Sequence, residues 1–242
     1  MCRHLAYVGP SIAVSEPLLD ASHALVSQAQ NPQFQLSGDD NPDGFGVVWY
    51  EAGTSPPWRY RTTMPMWLQP GLANAFVGVH AHALVAAARL ASPGIPIDVA
   101  SNAPFVSGHW SFSLNGQIEG FTEGIGEKLR AGLSPLRHDG IEGATDSEVL
   151  FAMTLDRLDA GAPPAEALVD AIHAVEAITH GRLNCVLNDG RHVVATAVGN
   201  SLFTRTGWAA SEPIDDHPDW VWVPDRSVVS LPLGEAPTVE PL

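Results

Sequence analysis

A cysteine directly after the initiator methionine is the first residue of this sequence with evident chemistry. Cysteine is small enough for an aminopeptidase to remove the preceding methionine, so we expect Met1 to be cleaved and Cys2 to carry a free α-amine beside its thiol. The amine titrates near ~8 and the thiol near ~8.5, so the amine can accept the thiol proton close to neutrality. Position alone favours a simpler interpretation, in which Cys2 fills a small place at the start of a first strand.

A thiol that attacks an amide also needs donors for the oxyanion, and Asn115 and Gly116 can supply them. A side-chain amide and an adjacent backbone N–H are suitable donors for a tetrahedral oxyanion. The pair also follows an alternating strand pattern over residues 110–114, and Asn-Gly is the strongest short signal of a hairpin turn. We expect both interpretations to hold, with a type I′ turn that fixes the donors.

A cation and an anion suited to an amino-acid substrate occur at two other places in the chain. Arg89 follows a long apolar segment that predicts a buried strand, and its planar guanidinium suits a carboxylate. Asp146 lies just inside a predicted helix N-terminus, where the helix dipole favours an ionised carboxylate. Taken alone, Arg89 fits a structural ion pair equally well, and Asp146 fits the completion of a helix start better. Together the two residues can bind the α-carboxylate and α-ammonium of one amino acid.

The composition excludes several classes of partner. The 242 residues are 45% hydrophobic and carry a formal charge of −15 at pH 7. Because nucleic acids and anionic membranes select basic surfaces, we predict neither as a partner. Cys2 and Cys185 are too few for a disulfide framework, and neither a secretion signal nor a membrane-length apolar segment is evident, so we expect a cytoplasmic protein.

Two further patterns were considered as binding sites. His80 and His82 have metal-like spacing along a strand, but no third ligand is clustered with them. The turn at residues 43–46 lacks both the Lys-Ser/Thr of a phosphate loop and a dinucleotide fingerprint. We therefore predict neither a metal site nor a cofactor.

The order of the predicted elements indicates the architecture. Thr145 and Glu148 form a capping box at the start of a helix that runs to about Leu158. The other predicted helices are 17–30, capped by Ser15, and 163–180, and the predicted strands are 5–8, 47–50, 110–114, 183–187, 192–198, 202–206 and a short one near 228–229. Strands, then two consecutive helices, then strands predict two sheets with helices packed outside them, in one domain spanning 1–242.

Five segments in this order resemble the class II glutamine amidotransferases, a branch of the N-terminal nucleophile hydrolases. They are residues 1–3 (Met-Cys-Arg), 42–46 (Pro-Asp-Gly-Phe-Gly), 89–92 (Arg-Leu-Ala-Ser), 114–116 (Leu-Asn-Gly) and 145–148 (Thr-Asp-Ser-Glu). The resemblance covers essentially the whole chain and implies an α+β fold, the four-layer αββα sandwich. The sequence departs from the family at Leu114, where a histidine is usual, and at Pro93, where many members have His or Gly.

The resemblance also implies roles for the candidate residues and a small-molecule γ-glutamyl substrate. It makes Cys2 the catalytic nucleophile, the α-amine of Cys2 its base, and Asn115 and Gly116 the oxyanion hole. The substrate-binding residues that it implies are Arg89 for the glutamyl carboxylate, Ser92 in the lining of that site and Asp146 for the glutamyl ammonium.

A narrower resemblance, in residues 101–105 and in the tail between 210 and 226, is to family members that act in ergothioneine biosynthesis. Those enzymes hydrolyse a γ-glutamyl amide, pass no ammonia onward, and take a substrate with a trimethylammonium group. We hypothesise that Asp215, Asp216 and Trp220, or Trp67, hold such a cation by charge and ring faces. An equally favoured alternative is that these tryptophans anchor the long tail in the core.

Other functions stay open at this point. The chain could be a general glutaminase, or an amidotransferase subunit that delivers ammonia to a separate partner protein. A catalytically silent γ-glutamyl-binding protein with the same fold is a third alternative, and a retained Met1 would favour it. The sequence also leaves open whether the chain forms a homo-oligomer.

Overall fold

Two antiparallel β-sheets form the centre of the computed structural model, which describes residues 2–52 and 56–242. Within these residues the first sheet comprises β1 (Arg3–Ala13), β2 (Phe45–Tyr50), β3 (Trp58–Thr62), β4 (His80–Ala88), β9 (Phe203–Arg205), β10 (Trp208–Ala210) and β11 (Val221–Trp222). The second sheet comprises β5 (Phe105–Ser107), β6 (Trp110–Ile118), β7 (Gly181–Asn188), β8 (His192–Ala197), β12 (Ser227–Pro232) and β13 (Thr238–Pro241). The strand orders are β11-β9-β10-β1-β4-β2-β3 and β13-β12-β8-β7-β6-β5.

Helices cover the outer face of each sheet. Those of the described residues are α1 (Leu25–Gln30), α2 (Leu72–Ala75), α3 (Ile125–Arg130), α4 (Pro135–Asp139), α5 (Asp146–Asp159) and α6 (Pro164–Glu176). Helix α1 packs on β1 and β4, whereas α5 packs on β6 and α6 on β7 and β8. None of the helices within the described residues has both the length and the apolar character that crossing a bilayer requires.

The alternation of side chains along β1 shows how the layers are held together. Leu5 and Tyr7 belong to the apolar cluster beneath α1, whereas Ala6 and Val8 belong to a separate cluster. That second cluster also contains Val186 of the other sheet and therefore lies between the sheets. Because successive residues of a strand point to opposite faces, each central strand contributes to two cores. The αββα sandwich predicted from the resemblance is thus confirmed, while the domain boundaries 1–242 stay a prediction.

Helix α5 begins as its capping box predicts. The Thr145 hydroxyl accepts a hydrogen bond from the Glu148 N–H at 3.2 Å. The Glu148 carboxylate accepts bonds from the N–H groups of Glu142 at 3.0 Å and Gly143 at 2.9 Å, as well as from the Thr145 hydroxyl at 3.1 Å. The box therefore also fixes the loop that leads into the helix.

The predicted hairpin turn at Asn115 and Gly116 is wrong. Both residues lie inside β6, where Asn115 pairs with Asn184 and Gly116 with Leu183 of β7. The long β7 strand offers ladder partners beyond residue 114, and this tertiary pairing overrides the local turn preference of Asn-Gly.

Other predicted elements need smaller corrections. The predicted helix 17–30 is divided into a π-helical turn, Glu16–Asp20, and α1, because the His23 N–H bonds to the Ile214 carbonyl of the tail at 2.9 Å. Ser15 makes no side-chain capping bond. Strand β1 passes through Gly9 and Pro10 with a register shift between Val8 and Ile12, and the tail beyond Ser211 contains β11, β12 and β13 rather than one strand.

Gly116 is a point of very close approach between β6 and β7. A Cβ atom there would lie 1.8 Å from the Arg182 carbonyl oxygen, which is a backbone atom and cannot swing away. We expect Gly116→Ala to lower the free energy of unfolding by about 2–3 kcal/mol, the upper part of the usual overpacking range. Urea unfolding of the variant measures this change.

Gly132→Ala is the matched control for this substitution. A Cβ at Gly132 would come no closer than 3.5 Å to the Leu129 carbonyl oxygen, which is an ordinary contact. We expect it to change stability by less than about 1 kcal/mol. Equal unfolding midpoints for the two variants would contradict the steric argument.

Candidate active site

A cleft at one end of the two sheets gathers most of the predicted site residues. Its lining includes Cys2, Arg89, Ser92, Gly116 and Asp146. The other lining residues are Ala87, Ala88, Leu90, Ile95, Ser101, Ala103, Phe105, Leu114, Thr145 and Ser147. One thiol, one guanidinium and one carboxyl group therefore face a common space.

The register between β1 and β4 places Cys2 in the cleft. Arg3 pairs with Ala88, so the residues just beyond this pair, Cys2 and Arg89, lie at the same end of the sheet. Cys2 is partly buried, and its Sγ lies 3.7 Å from the Leu90 carbonyl oxygen. Met1 lies outside the described residues, so its removal stays a prediction.

Arg89 is buried and oriented by neutral groups. Its Nη1 donates to Asn102 Oδ1 at 3.1 Å, and its Nη2 donates to the Pro96 carbonyl at 2.9 Å. Asn102 is in turn held by its Nδ2, which donates to the Thr62 carbonyl at 2.6 Å. Because both partners of the guanidinium are uncharged, its charge is available to a carboxylate in the cleft. The alternative of a structural ion pair is not realised, since Arg89 forms no salt bridge within the described residues.

Asp146 joins the start of α5 to the end of β6. Its Oδ2 accepts from the Ile118 N–H at 2.9 Å and its Oδ1 from the Ser147 N–H at 2.8 Å. Burial nevertheless raises the pKa of Asp146, because loss of water outweighs these donors. The helix start alone therefore does not decide its ionisation, and an ammonium in the cleft would favour the charged form.

The predicted oxyanion pair is divided between two faces of β6. Gly116 lines the cleft, whereas Asn115 is fully buried and does not appear in its lining. The Asn115 Nδ2 donates to the Ser211 hydroxyl at 3.2 Å, and its Oδ1 has no partner within the described residues. The role of Asn115 as an oxyanion donor stays a prediction. In the present orientation its Nδ2 is bonded to Ser211 and does not point into the cleft.

The tail residues suggested for a trimethylammonium group already bond to other side chains of this chain. Arg205 pairs with Asp215 at 2.9 Å and lies 4.8 Å over the ring of Trp220. Asp216 pairs with His23 at 2.9 Å. Neither these residues nor Trp67 line the Cys2 cleft, so the arrangement fits the alternative in which the tryptophan anchors the tail.

His80 and His82 have metal-like spacing, although the sequence analysis predicts no metal site there. His80 is exposed, and its Nδ1 lies 3.1 Å from the Gly78 carbonyl oxygen. No cluster of three potential ligands among His, Cys, Asp and Glu occurs in the described part of the chain.

Comparison with known proteins identifies the family. The family model for class-II glutamine amidotransferases matches residues 32–207. The chain is also 33% identical over 236 residues to the gamma-glutamyl-hercynylcysteine sulfoxide hydrolase of Mycobacterium tuberculosis (strain CDC 1551 / Oshkosh), across 96% of this chain and 93% of that protein. The chain belongs to the class II glutamine amidotransferase family.

Two further matches support this membership. A probable glutamine amidotransferase of Saccharomyces cerevisiae is 30% identical over 166 residues, which cover 66% of this chain and 46% of that protein. The solved structure of a glutamine aminotransferase class-II domain protein from Silicibacter pomeroyi has a TM-score of 0.73 and 26% identity, covering 100% of this chain and 99% of the other. This class II glutamine amidotransferase is thus an enzyme with the chemistry of a hydrolase.

Sequence reasoning assigned no role to three residues that organise the site of this class II glutamine amidotransferase. Asn102 orients Arg89, and Ser211 binds Asn115. Glu212 binds Arg3, the residue after Cys2. Their segments, 101–105 and 210–213, carried the narrower resemblance, which was the signal that could have singled them out.

Asp146 should leave a pH signature on stability. Its pKa is raised in the folded state, so its stabilising contribution is complete below the unfolded value, near ~3.9, and is lost as pH rises through the folded value. We therefore expect the wild type to lose stability relative to Asp146→Asn as pH increases across that interval. Urea unfolding of both proteins at a series of pH values measures the difference.

Asp216→Asn is the control with the opposite sign. The bond to His23 lowers the pKa of Asp216, so its contribution is present above the unfolded value and is lost as pH falls through the lowered one. Parallel pH dependences for the two variants would contradict the desolvation argument for Asp146.

Proposed function

We propose that this protein hydrolyses a γ-glutamyl amide with Cys2 as its nucleophile. The observation that carries this proposal is the single cleft that joins Cys2 to Arg89 and Asp146. A γ-glutamyl group has an α-carboxylate and an α-ammonium at the end remote from its reacting carbonyl. The cleft offers a guanidinium with neutral partners to the carboxylate and a desolvated carboxylate to the ammonium.

The proposed reaction is acyl transfer in two steps. The Cys2 thiol gives its proton to the α-amine freed by removal of Met1, and the thiolate attacks the γ-carbonyl carbon. Collapse of the tetrahedral intermediate breaks the C–N bond, and the α-ammonium protonates the departing amine. Water activated by the same α-amine then hydrolyses the γ-glutamyl thioester, which releases glutamate and restores the thiol.

The oxyanion donors are proposed from the family resemblance, with Gly116 supported by its place in the cleft lining. Asn115 would act by turning its Nδ2 from the Ser211 hydroxyl toward the carbonyl oxygen bound at Cys2. Removing one such donor typically costs about 2.7–4 kcal/mol of transition-state stabilisation. Leu114, in place of the usual histidine, leaves these donors in place.

The specific substrate we propose is γ-glutamyl-hercynylcysteine sulfoxide, whose hydrolysis would release glutamate in ergothioneine biosynthesis. The identity to the mycobacterial hydrolase, which extends over 96% of this chain, supports this choice. The alternative is a general glutaminase or an amidotransferase subunit, which the shorter match to the yeast protein favours. Hydrolysis rates for the sulfoxide substrate and for glutamine, measured on one preparation, separate the two; faster glutamine hydrolysis would contradict the specific substrate.

Labelling with 6-diazo-5-oxo-L-norleucine, a glutamine-analogue electrophile, tests the nucleophile directly. We expect intact-mass spectrometry to show loss of Met1 and one adduct on Cys2, and we expect Cys2→Ala to abolish both the adduct and turnover while the protein stays folded. Cys185→Ala is the control, because Cys185 is fully buried and burial raises the pKa of its thiol. An adduct that persists in Cys2→Ala, or a retained Met1 without an adduct, would contradict the mechanism.

Arg89→Lys tests the carboxylate site. A lysine keeps the charge but not the planar fork, and we expect KM for γ-glutamyl substrates to rise about tenfold to a hundredfold, corresponding to one lost charge-assisted hydrogen bond. Steady-state kinetics measures this, with kcat changed less than KM. Arg137→Lys is the matched control, since Arg137 is also largely buried but bonds to Ser107 and Asp159 away from the cleft. An unchanged KM in Arg89→Lys would show that Arg89 does not bind the substrate carboxylate.

A further inference from the structure

The guanidinium next to the nucleophile is completely buried. Arg3 directly follows Cys2, and its relative exposure is 0%. Its Nε donates to the Cys2 carbonyl at 2.8 Å, and its Nη1 donates to Glu212 Oε1 at 2.7 Å. A buried charge of this kind is strongly unfavourable unless it is paired, and Glu212 supplies the opposite charge. The position of the Cys2 peptide group therefore depends on a carboxylate that lies 209 residues away in the sequence.

Glu212 also holds the chain segment that joins α1 to β2, residues 31–44. Its Oε2 accepts from the Gln33 N–H at 3.0 Å, and its Oε1 accepts from the Phe34 N–H at 3.0 Å. Near the other end of this segment, Asp43 Oδ2 accepts from the Ala91 N–H at 2.7 Å. One carboxylate thus links the peptide at Cys2 to a segment whose far end contacts the chain just beyond Arg89.

The residue before Glu212 is bonded to the same strand and to the proposed oxyanion donor. The Ser211 N–H donates to the His4 carbonyl at 2.9 Å, and the Ser211 hydroxyl accepts from the His4 N–H at 3.1 Å. The same hydroxyl accepts from Asn115 Nδ2 at 3.2 Å. Residues 211 and 212 are therefore anchored on both sides, which leaves the Glu212 carboxylate little freedom to follow Arg3 if the N-terminus moves.

We propose that Glu212 is a positioning residue that holds the Cys2 nucleophile in place through Arg3. This inference rests on the proposed function, because it assigns Glu212 a part in the reaction of Cys2. Glu212 is 3% exposed and does not line the cleft, so it acts through Arg3 rather than on the substrate. Small displacements of a reacting group cost rate more than affinity, because the bound substrate keeps its contacts while the attack geometry is lost.

Glu212→Gln tests the proposal. The amide keeps the shape of the side chain but removes the charge. Its single oxygen can replace only one of the two carboxylate oxygens, so either the Gln33 N–H or the pair formed by Arg3 and the Phe34 N–H loses its acceptor. We expect kcat for γ-glutamyl-p-nitroanilide to fall about tenfold to a hundredfold with KM changed less than about threefold. The rate of Cys2 labelling by 6-diazo-5-oxo-L-norleucine should fall in parallel.

Glu212→Asp and Glu176→Gln complete the design. Aspartate keeps the charge on a shorter side chain and should restore part of kcat, and it provides the decisive measurement if Glu212→Gln does not fold. Glu176 pairs with Arg226 at 2.7 Å on the surface, so Glu176→Gln removes a charge from an Arg–Glu pair outside the site and should behave as the wild type.

The outcomes separate the two claims. A folded Glu212→Gln protein with wild-type kcat and labelling rate, or with a raised KM and unchanged kcat, overturns the positioning role of Glu212 while the wild-type reaction stands. If only Glu212→Asp folds, a wild-type kcat in that variant overturns it, because the shorter side chain withdraws the carboxylate from Arg3. A wild-type protein that neither turns over the anilide nor labels at Cys2 overturns the proposed function itself. A reduced kcat with near-normal KM, partly restored by aspartate, supports the inference.

Discussion

Arg3 of β1 pairs with Ala88 of β4, and this backbone register determines where Cys2, the proposed nucleophile, lies. The next residues on the two strands, Cys2 and Arg89, then reach the same end of the sheet. A shift of one residue would turn the side chains of β1 to the opposite face, since strand side chains alternate. The apolar residues of β1 resist such a shift, because Leu5 and Ala6 are committed to different cores on the two sides of the sheet. The packing of the whole first sheet thus stabilises the position of Cys2.

The electrostatic character of the cleft follows from what surrounds its charged groups. Arg89 is oriented by an amide and a carbonyl, so no carboxylate of the described ion pairs competes with a substrate for its charge. Asp146 receives backbone N–H groups from β6 and α5, yet burial still raises its pKa. A zwitterionic amino-acid group would supply both missing partners, because its carboxylate would pair with the Arg89 guanidinium and its ammonium with the Asp146 carboxylate.

The tail contributes to the site from outside the range of the family match, which covers residues 32–207. Ser211 and Glu212 follow β10, which pairs with β1, and this pairing brings them beside His4 and Arg3. The N-terminal strand and the tail therefore hold each other in position. The tail also offers Asp215 and Trp220 as a candidate site for a substrate cation. Arg205 of this chain already pairs with Asp215 and lies over the ring of Trp220.

The sequence by itself determined the architecture and most members of the site. Alternating and helical patterns, the capping box at Thr145 and the order of five short motifs predicted two sheets with outer helices, and five of the six predicted residues line one cleft. These features depend on local patterns, which a sequence displays directly. Tertiary structure decided the rest. Asn115 and Gly116 lie in a strand because β7 offers ladder partners. The helix expected over 17–30 is divided where the His23 N–H donates to the Ile214 carbonyl of the tail. The narrower resemblance pointed to the segments that contain Asn102, Ser211 and Glu212, but the roles of these residues depend on contacts with other segments, which the sequence does not display.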